Sequence, residues 1–70
     1  METLGERLKK QRLKQGLTQK EAANKLNINQ VTYHGYEANK HKPDIDMLSK
    51  LADLLFVSTD YLIGRYQKAN

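Results

Sequence analysis

Helix-capping residues divide this 70-residue chain into short segments, and their spacing constrains the fold more than any other feature of the sequence. Five residues of types that favour helix N-caps occur at short intervals, namely Thr3, Thr18, Asn29, Asp44 and Ser58. The first two are each followed three residues later by a glutamate, which is the spacing of a capping box. Apolar residues between these points recur mostly every three or four positions, and no segment alternates as a strand does. The sequence therefore predicts an all-α, compact five-helix bundle.

Chain length and residue types limit what else can hold this bundle together. With no cysteine, disulfides are excluded, and the two histidines, His34 and His41, have no acidic or thiolate cluster around them, so we expect neither metal nor cofactor. We predict one domain over residues 1–66 and a short tail over residues 67–70. No apolar run approaches the roughly 20 residues needed to span a bilayer, and Met1-Glu2-Thr3 does not begin a signal peptide. We therefore expect a cytoplasmic protein that is stabilised by helix packing and by association.

Positive charge is concentrated in the first part of the chain. Residues 1–42 carry nine basic and four acidic side chains, whereas residues 43–70 carry three basic and four acidic ones. A basic half joined to a nearly neutral half is consistent with one polyanion-facing side, although charge alone would equally fit an ordinary solvated surface.

The segment from about residue 18 to residue 38 is predicted to be two short helices joined by a tight turn. Small Ala23 allows the helices to cross closely, Asn27 tolerates the left-handed turn, and Ile28 fills the corner. At about 100° per residue, Tyr33, Tyr36 and Glu37 share one side of the second helix. The other side consists of Gln30, Val31, His34 and Gly35, and it contains no acidic residue.

The order of these residues resembles the phage repressor and Cro type (XRE-like) family of helix-turn-helix transcriptional regulators. The resemblance rests on the run from Gln19 to Gln30, on Tyr36-Glu37, Lys40 and Pro43, and on the tail from Leu48 to Gly64. It implies a repressor that binds a pseudo-palindromic operator as a dimer, with one helix in the major groove, in a bacterial cytoplasm or phage-infected host and associated with the nucleoid.

The resemblance also implies roles for individual residues. Gln19 would anchor the second helix on a phosphate and brace Gln30, and Arg12 would form a structural ion pair with Glu37. The expected base contacts are Gln30, Val31, Thr32 and Gly35. The expected phosphate contacts are Thr18, Gln19, Asn29, His34, Lys40 and Lys42.

Side-chain chemistry fits those roles. An amide such as that of Gln30 pairs with adenine N6 and N7, and Val31 can contact only an apolar group such as the thymine methyl. No Arg or Lys lies on this face, so we expect an A/T-rich core in each half-site. The sequence departs from the family at Gln11, which is often apolar, and at Tyr33, which replaces a smaller aliphatic residue and would pack imperfectly or extend its hydroxyl toward the backbone.

The last part of the chain has more apolar residues than one core face needs. We predict a self-complementary dimer patch made of Leu54, Phe56, Tyr61, Ile63 and Tyr66. The same residues leave open an alternative, an antitoxin-like or adaptor module whose partner is another protein, and a regulatory protein partner is compatible with either function. The carboxylates lie at helix caps or on helix faces without a nearby nucleophile, so we expect no enzymatic activity.

Overall fold

The computed structural model describes residues 2–65, and within them it contains five helices and no strand. The helices are α1 (Leu4–Lys14), α2 (Gln19–Leu26), α3 (Gln30–Glu37), α4 (Ile45–Leu55) and α5 (Thr59–Leu62). Helices α3 and α4 each pack on both α1 and α2. Helix α5 packs on α1 and α4. The predicted all-α fold is confirmed.

Each helix begins directly after the residue that the sequence predicts as its N-cap. The Thr3 hydroxyl accepts a hydrogen bond from the Glu6 backbone N–H while the Glu6 carboxylate accepts from the Thr3 N–H, and Thr18 and Glu21 repeat this arrangement. Single side-chain caps begin the remaining helices at Asn29, Asp44 and Ser58. The first four backbone N–H groups of a helix lack intrahelical partners, so these caps fix the element boundaries locally.

The core lies where helices α1 to α5 meet. Its buried members are Leu8, Ala22, Ala23, Leu26, Tyr33, Leu51, Ala52, Leu55 and Leu62. The two alanines are almost fully enclosed, at 0% and 1% exposed, so α2 can approach its neighbours closely. Two apolar residues that continue the sequence spacing are instead outside the core, since Leu13 is 59% and Ile45 is 85% exposed.

The buried face of α1 is not purely apolar. It consists of Gly5, Leu8, Gln11 and Arg12, a spacing of three, three and one that turns Leu13 toward solvent. Gln11 is satisfied because its Nε2 donates to the Tyr61 hydroxyl at 3.0 Å. A polar residue thus occupies a core position by bonding to a residue 50 positions away.

Helix α5 is shorter than expected. It ends at Leu62 rather than near Tyr66, and Ile63 and Gly64 form a turn in which Gly64 has a φ of 80°. Tyr66 and the tail 67–70 lie outside the described residues.

Phe56 ends α4 in a left-handed conformation, with a φ of 57°, and its side chain is 80% exposed. For an L-residue with a Cβ, this conformation costs about 1–2 kcal/mol. We expect Phe56→Gly to unfold in urea with a free energy about 1 kcal/mol higher than that of Phe56→Ala, because both variants lose the ring and only glycine relieves the backbone. Equal stability of the two variants would contradict a strained left-handed cap.

Candidate nucleic-acid interface

Helix α3 turns one side into the core and offers the other to solvent. Tyr33 is fully buried, Tyr36 packs against the core, and Val31 is 79% exposed. Asn27, with a φ of 59°, makes the turn from α2, and the backbone N–H of Ile28 donates to the Ala23 carbonyl at 3.0 Å. The predicted orientation of the second helix is therefore the one that the structure has.

A buried ion pair fixes this orientation. Arg12 Nε lies 2.7 Å from Glu37 Oε2 and Arg12 Nη2 lies 3.1 Å from Oε1, with the two side chains only 8% and 4% exposed. Arg12 also donates to the Leu17 carbonyl at 2.8 Å. The ion pair that the resemblance implies is thus present as a two-pronged contact between α1 and the end of α3.

Two further donors complete the coordination of the Glu37 carboxylate. The Tyr33 hydroxyl donates to Oε2 at 2.6 Å, and Gln19 Nε2 donates to Oε1 at 3.0 Å. The sequence predicted that Tyr33 would pack imperfectly or extend its hydroxyl toward the backbone. Instead Tyr33 is fully buried, and its hydroxyl bonds to the carboxylate of Glu37 in the same helix. We call Arg12, Gln19, Tyr33 and Glu37 the Glu37 network.

The network holds its members in fixed protonation states. Burial raises the pKa of Glu37, but hydrogen bonds from Arg12, Tyr33 and Gln19 outweigh it and leave that pKa below its usual value. Burial and the bond to Glu37 raise the pKa of the Tyr33 hydroxyl, and the bond to Glu37 also raises the pKa of Arg12. The carboxylate therefore stays ionised while its donors stay protonated.

The hydrogen bonds of Gln19 differ from the expected contact with Gln30. Its amide contacts Glu37 through Nε2 and the His34 ring through Oε1, where Nδ1 lies at 3.3 Å, so these residues rather than Gln30 occupy its polar atoms. Gln19, Gln30, Val31 and His34 nevertheless line one surface hollow of about 310 Å³. Four residues of the predicted contact surface are thus brought together.

The other predicted contacts lie around this hollow or in the loop after α3. Thr18 and Asn29 are exposed caps, the backbone N–H of Thr32 donates to Asn29 Oδ1 at 2.7 Å, and Lys40 and Lys42 are exposed. Residue Asn39, with a φ of 61°, begins the loop. Its side chain accepts from the Gly5 N–H at 3.0 Å and donates to the Thr3 hydroxyl at 2.9 Å.

Gly5 is the residue that lets α1 approach this loop. A Cβ at Gly5 would lie 2.7 Å from the Glu37 carbonyl carbon and 2.9 Å from Asn39 Oδ1. The start of α1 therefore rests directly on the end of α3.

Gly35 does not have the open position that the sequence predicted. It is buried, and the residue over it is His41, whose ring stands where a side chain at position 35 would begin. The sequence predicts no role for His41, because its contact with Gly35 depends on the path of the loop between them. The sequence signal that accompanies this contact is a glycine in the helix followed six residues later by a histidine.

The structure divides the predicted dimer patch. Leu54 and Phe56 line one groove, and Ile63, 44% exposed, lines another with Leu4 and Leu48. The Tyr61 hydroxyl is engaged by Gln11, and Tyr66 lies outside the described residues. The dimer patch stays a prediction, with Leu54 and Phe56 in one groove and Ile63 in the other.

Within residues 2–65, no group of three or more His, Cys, Asp or Glu side chains is arranged to hold a metal ion. In that same range every helix is too short or too polar to cross a bilayer.

Sequence comparison places this geometry among known proteins. A family profile described as Helix-turn-helix matches residues 8–62. The chain is 54% identical over 63 residues to the HTH-type transcriptional regulator ImmR of Bacillus subtilis (strain 168), covering 90% of this chain and 50% of that protein. It is 46% identical over 59 residues to the SPbeta prophage-derived uncharacterized HTH-type transcriptional regulator YonR of the same organism, covering 84% and 55%. The chain thus spans about half the length of the curated relatives it matches.

Structure comparison gives the same fold. The P22 c2 repressor protein, in a crystal structure with synthetic operator 9T, superimposes with a TM-score of 0.88 over 94% of this chain and 100% of that chain. The two sequences are 24% identical, so this likeness concerns the fold.

The Glu37 network predicts a pH-dependent stability. We expect Glu37→Gln to lower the free energy of unfolding at pH 7 by about 3–5 kcal/mol, because the Arg12 charge stays buried without its partner. The pKa of Glu37 is lower in the folded than in the unfolded chain, so its contribution is complete above about pH 4.3 and disappears as the pH falls through the folded value. Urea denaturation at a series of pH values measures this difference.

Two variants make that test decisive. Tyr33→Phe keeps the ion pair and removes one hydrogen bond to the carboxylate, so its free energy of unfolding should fall by a smaller amount, about 1.5–3 kcal/mol. This variant remains measurable even where Glu37→Gln does not fold. Glu2→Gln breaks an exposed contact with Lys10 at 3.6 Å and should change little. A Glu37 effect that persists undiminished at pH 2 would contradict the assignment.

Proposed function

The chain belongs to the helix-turn-helix family, and from that membership we propose that it binds operator DNA sequence-specifically through α3 and represses transcription by occupying a promoter. The observation that carries this proposal is the orientation of α3, which buries Tyr33 and leaves Val31 79% exposed beside exposed Gln30 and His34. An α-helix fits the major groove, and a reading helix needs polar and apolar side chains on its open face. The fold shared with the P22 c2 repressor, which was crystallised on an operator, supports the same function.

Base reading falls to the first turns of α3. Gln30 presents a donor and an acceptor to adenine, Val31 contacts a thymine methyl, and Thr32 follows them at the edge of the helix. Each good bidentate contact discriminates by about 1–3 kcal/mol, so an A/T-rich half-site is the expected preference.

Phosphate contacts come from both sides of α3. On one side are Thr18, Gln19 and Asn29, at the starts of α2 and α3, where helix dipoles favour anions. His34 lies beside them, with its Nδ1 3.3 Å from Gln19 Oε1. On the other side Lys40 and Lys42 extend from the loop. Since the Glu37 network connects Gln19 to α1 and α3, the phosphate contacts and the reading helix are held in one rigid frame.

A two-fold dimer completes the proposed function. It would place two α3 helices about 34 Å apart, which matches half-sites one turn apart on a pseudo-palindrome. The strained, 80% exposed Phe56 and the half-buried Leu54 beside it are the surface that best fits a partner copy. The same exposed aromatic residue favours the second candidate function, a protein-interaction module, and the salt experiment below separates the two.

Selection of bound sites from a random duplex pool, followed by affinity measurements at several salt concentrations, tests the DNA proposal. We expect Gln30→Ala to lose preference at one base pair per half-site, and Lys40→Ala to weaken all sequences alike and to flatten the salt slope by about one unit. Lys50→Ala, an exposed lysine of α4, is the matched charge control and should change neither. Negligible duplex binding at low salt would favour the protein-interaction module.

The oligomeric state forms a separate prediction. Phe56→Ala is expected to weaken self-association and operator affinity together while leaving binding to an isolated half-site unchanged. Sedimentation velocity with and without a two-half-site duplex measures both quantities. A wild-type protein that remains one copy per operator at high concentration would contradict the dimer.

A further inference from the structure

The outer side of α3 has a gap at Gly35 that the histidine of the following loop fills. A Cβ at Gly35 would lie 3.2 Å from His41 Cγ, which is tighter than most real contacts, and 2.7 Å from His41 Nε2, which is closer than real Cβ atoms stand. Gly35 is therefore buried by a residue six positions later in the chain, and the ring and a side chain at position 35 exclude each other.

Backbone contacts hold the loop in this path. The N–H groups of Lys40 and His41 both donate to the Gly35 carbonyl, at 2.9 Å and 3.3 Å. Asn39 turns the chain in the left-handed conformation and is itself bonded to Gly5 and Thr3. The imidazole is thus delivered to Gly35 by a loop that is fixed at its origin.

The position that the imidazole occupies belongs to the reading surface. Gly35 follows Val31 by four residues, so the two share one face of α3, and Val31 is 79% exposed there. His41 is itself exposed. Its Cδ2 and Nε2 are the ring atoms against Gly35, so the Nδ1 side of the ring is directed away from the helix.

We propose that His41 is a specificity-determining residue, which presents its imidazole to a base edge at the place where a side chain of residue 35 would otherwise read. This inference rests on the proposed DNA binding. A neutral imidazole offers one N–H donor, and the major-groove acceptors N7 of purines and O6 of guanine are its partners. The pair beside the bases that Gln30 and Val31 contact therefore has its purine on one fixed strand, and the loop supplies this polar contact to the reading surface.

A stability cycle first tests whether the ring occupies the gap. Alanine is favoured over glycine inside a helix, so Gly35→Ala should raise the midpoint of thermal unfolding in the His41→Ala background by about 4–8 °C. With His41 present the same substitution must displace the ring, so a smaller rise or a fall is expected. Equal shifts in the two backgrounds would overturn the proposal, and this measurement needs no DNA.

Affinity for the selected operator then tests the reading role. We expect His41→Ala to lose about ten-fold or more in affinity for the selected operator. It should lose nothing on an operator in which the pair that His41 contacts is inverted, so that the purine lies on the other strand, and the salt slope should be unchanged. Gly35→Ala should reproduce this loss because it expels the ring, and the double variant should lose no more than either single one. His41→Gln, which keeps a donor of similar reach, should recover part of the preference.

Other outcomes overturn the inference. Equal weakening of all sequences with a flatter salt slope would make His41 a phosphate contact, and unchanged base preference would make it a helix-end support only. A wild-type protein without salt-dependent duplex binding would contradict the proposed function itself, while the stability cycle would still report whether the ring fills the gap.

Discussion

A single buried carboxylate connects helices α1, α2 and α3. Glu37 accepts hydrogen bonds from Arg12 of α1, Gln19 of α2 and Tyr33 of α3, and its side chain is 4% exposed. A buried charge is costly unless its lone pairs are used, so only a narrow range of helix positions satisfies this group. The angle at which α3 leaves the body of the protein is therefore set by electrostatics as well as by apolar packing.

The features of the fold that depend on residues within one helical turn could be predicted from the sequence. Helix starts were predicted because a cap depends on residues within one turn, and the left-handed ends at Asn27 and Asn39 depend on one residue each. The orientation of α3 followed from where its two tyrosines fall around the helix. These features need no knowledge of what lies across the core.

Features that depend on distant neighbours were predicted less well. Leu13 and Ile45 continue an apolar spacing but lie beyond the edge of the core, while Gln11 is inside it because Tyr61 supplies a hydroxyl. Gly35 was expected to be open and is covered by His41, and Gln19 bonds to Glu37 and His34 rather than to Gln30. For Gln11, Gly35 and Gln19 a side chain from another segment decides the outcome, and helical periodicity carries no information about it.

The Thr3 hydroxyl has two hydrogen-bond donors, the Glu6 backbone N–H and the Asn39 side chain. One oxygen thus caps α1 and also anchors the loop that carries Lys40 and His41. Fraying of the first turn of α1, an opening of low free energy in most helices, would therefore remove one anchor of a segment 36 residues further along the chain. We therefore expect hydrogen exchange in that turn and in the loop to be coupled, and an amino-terminal fusion partner that disturbs Thr3 to alter both.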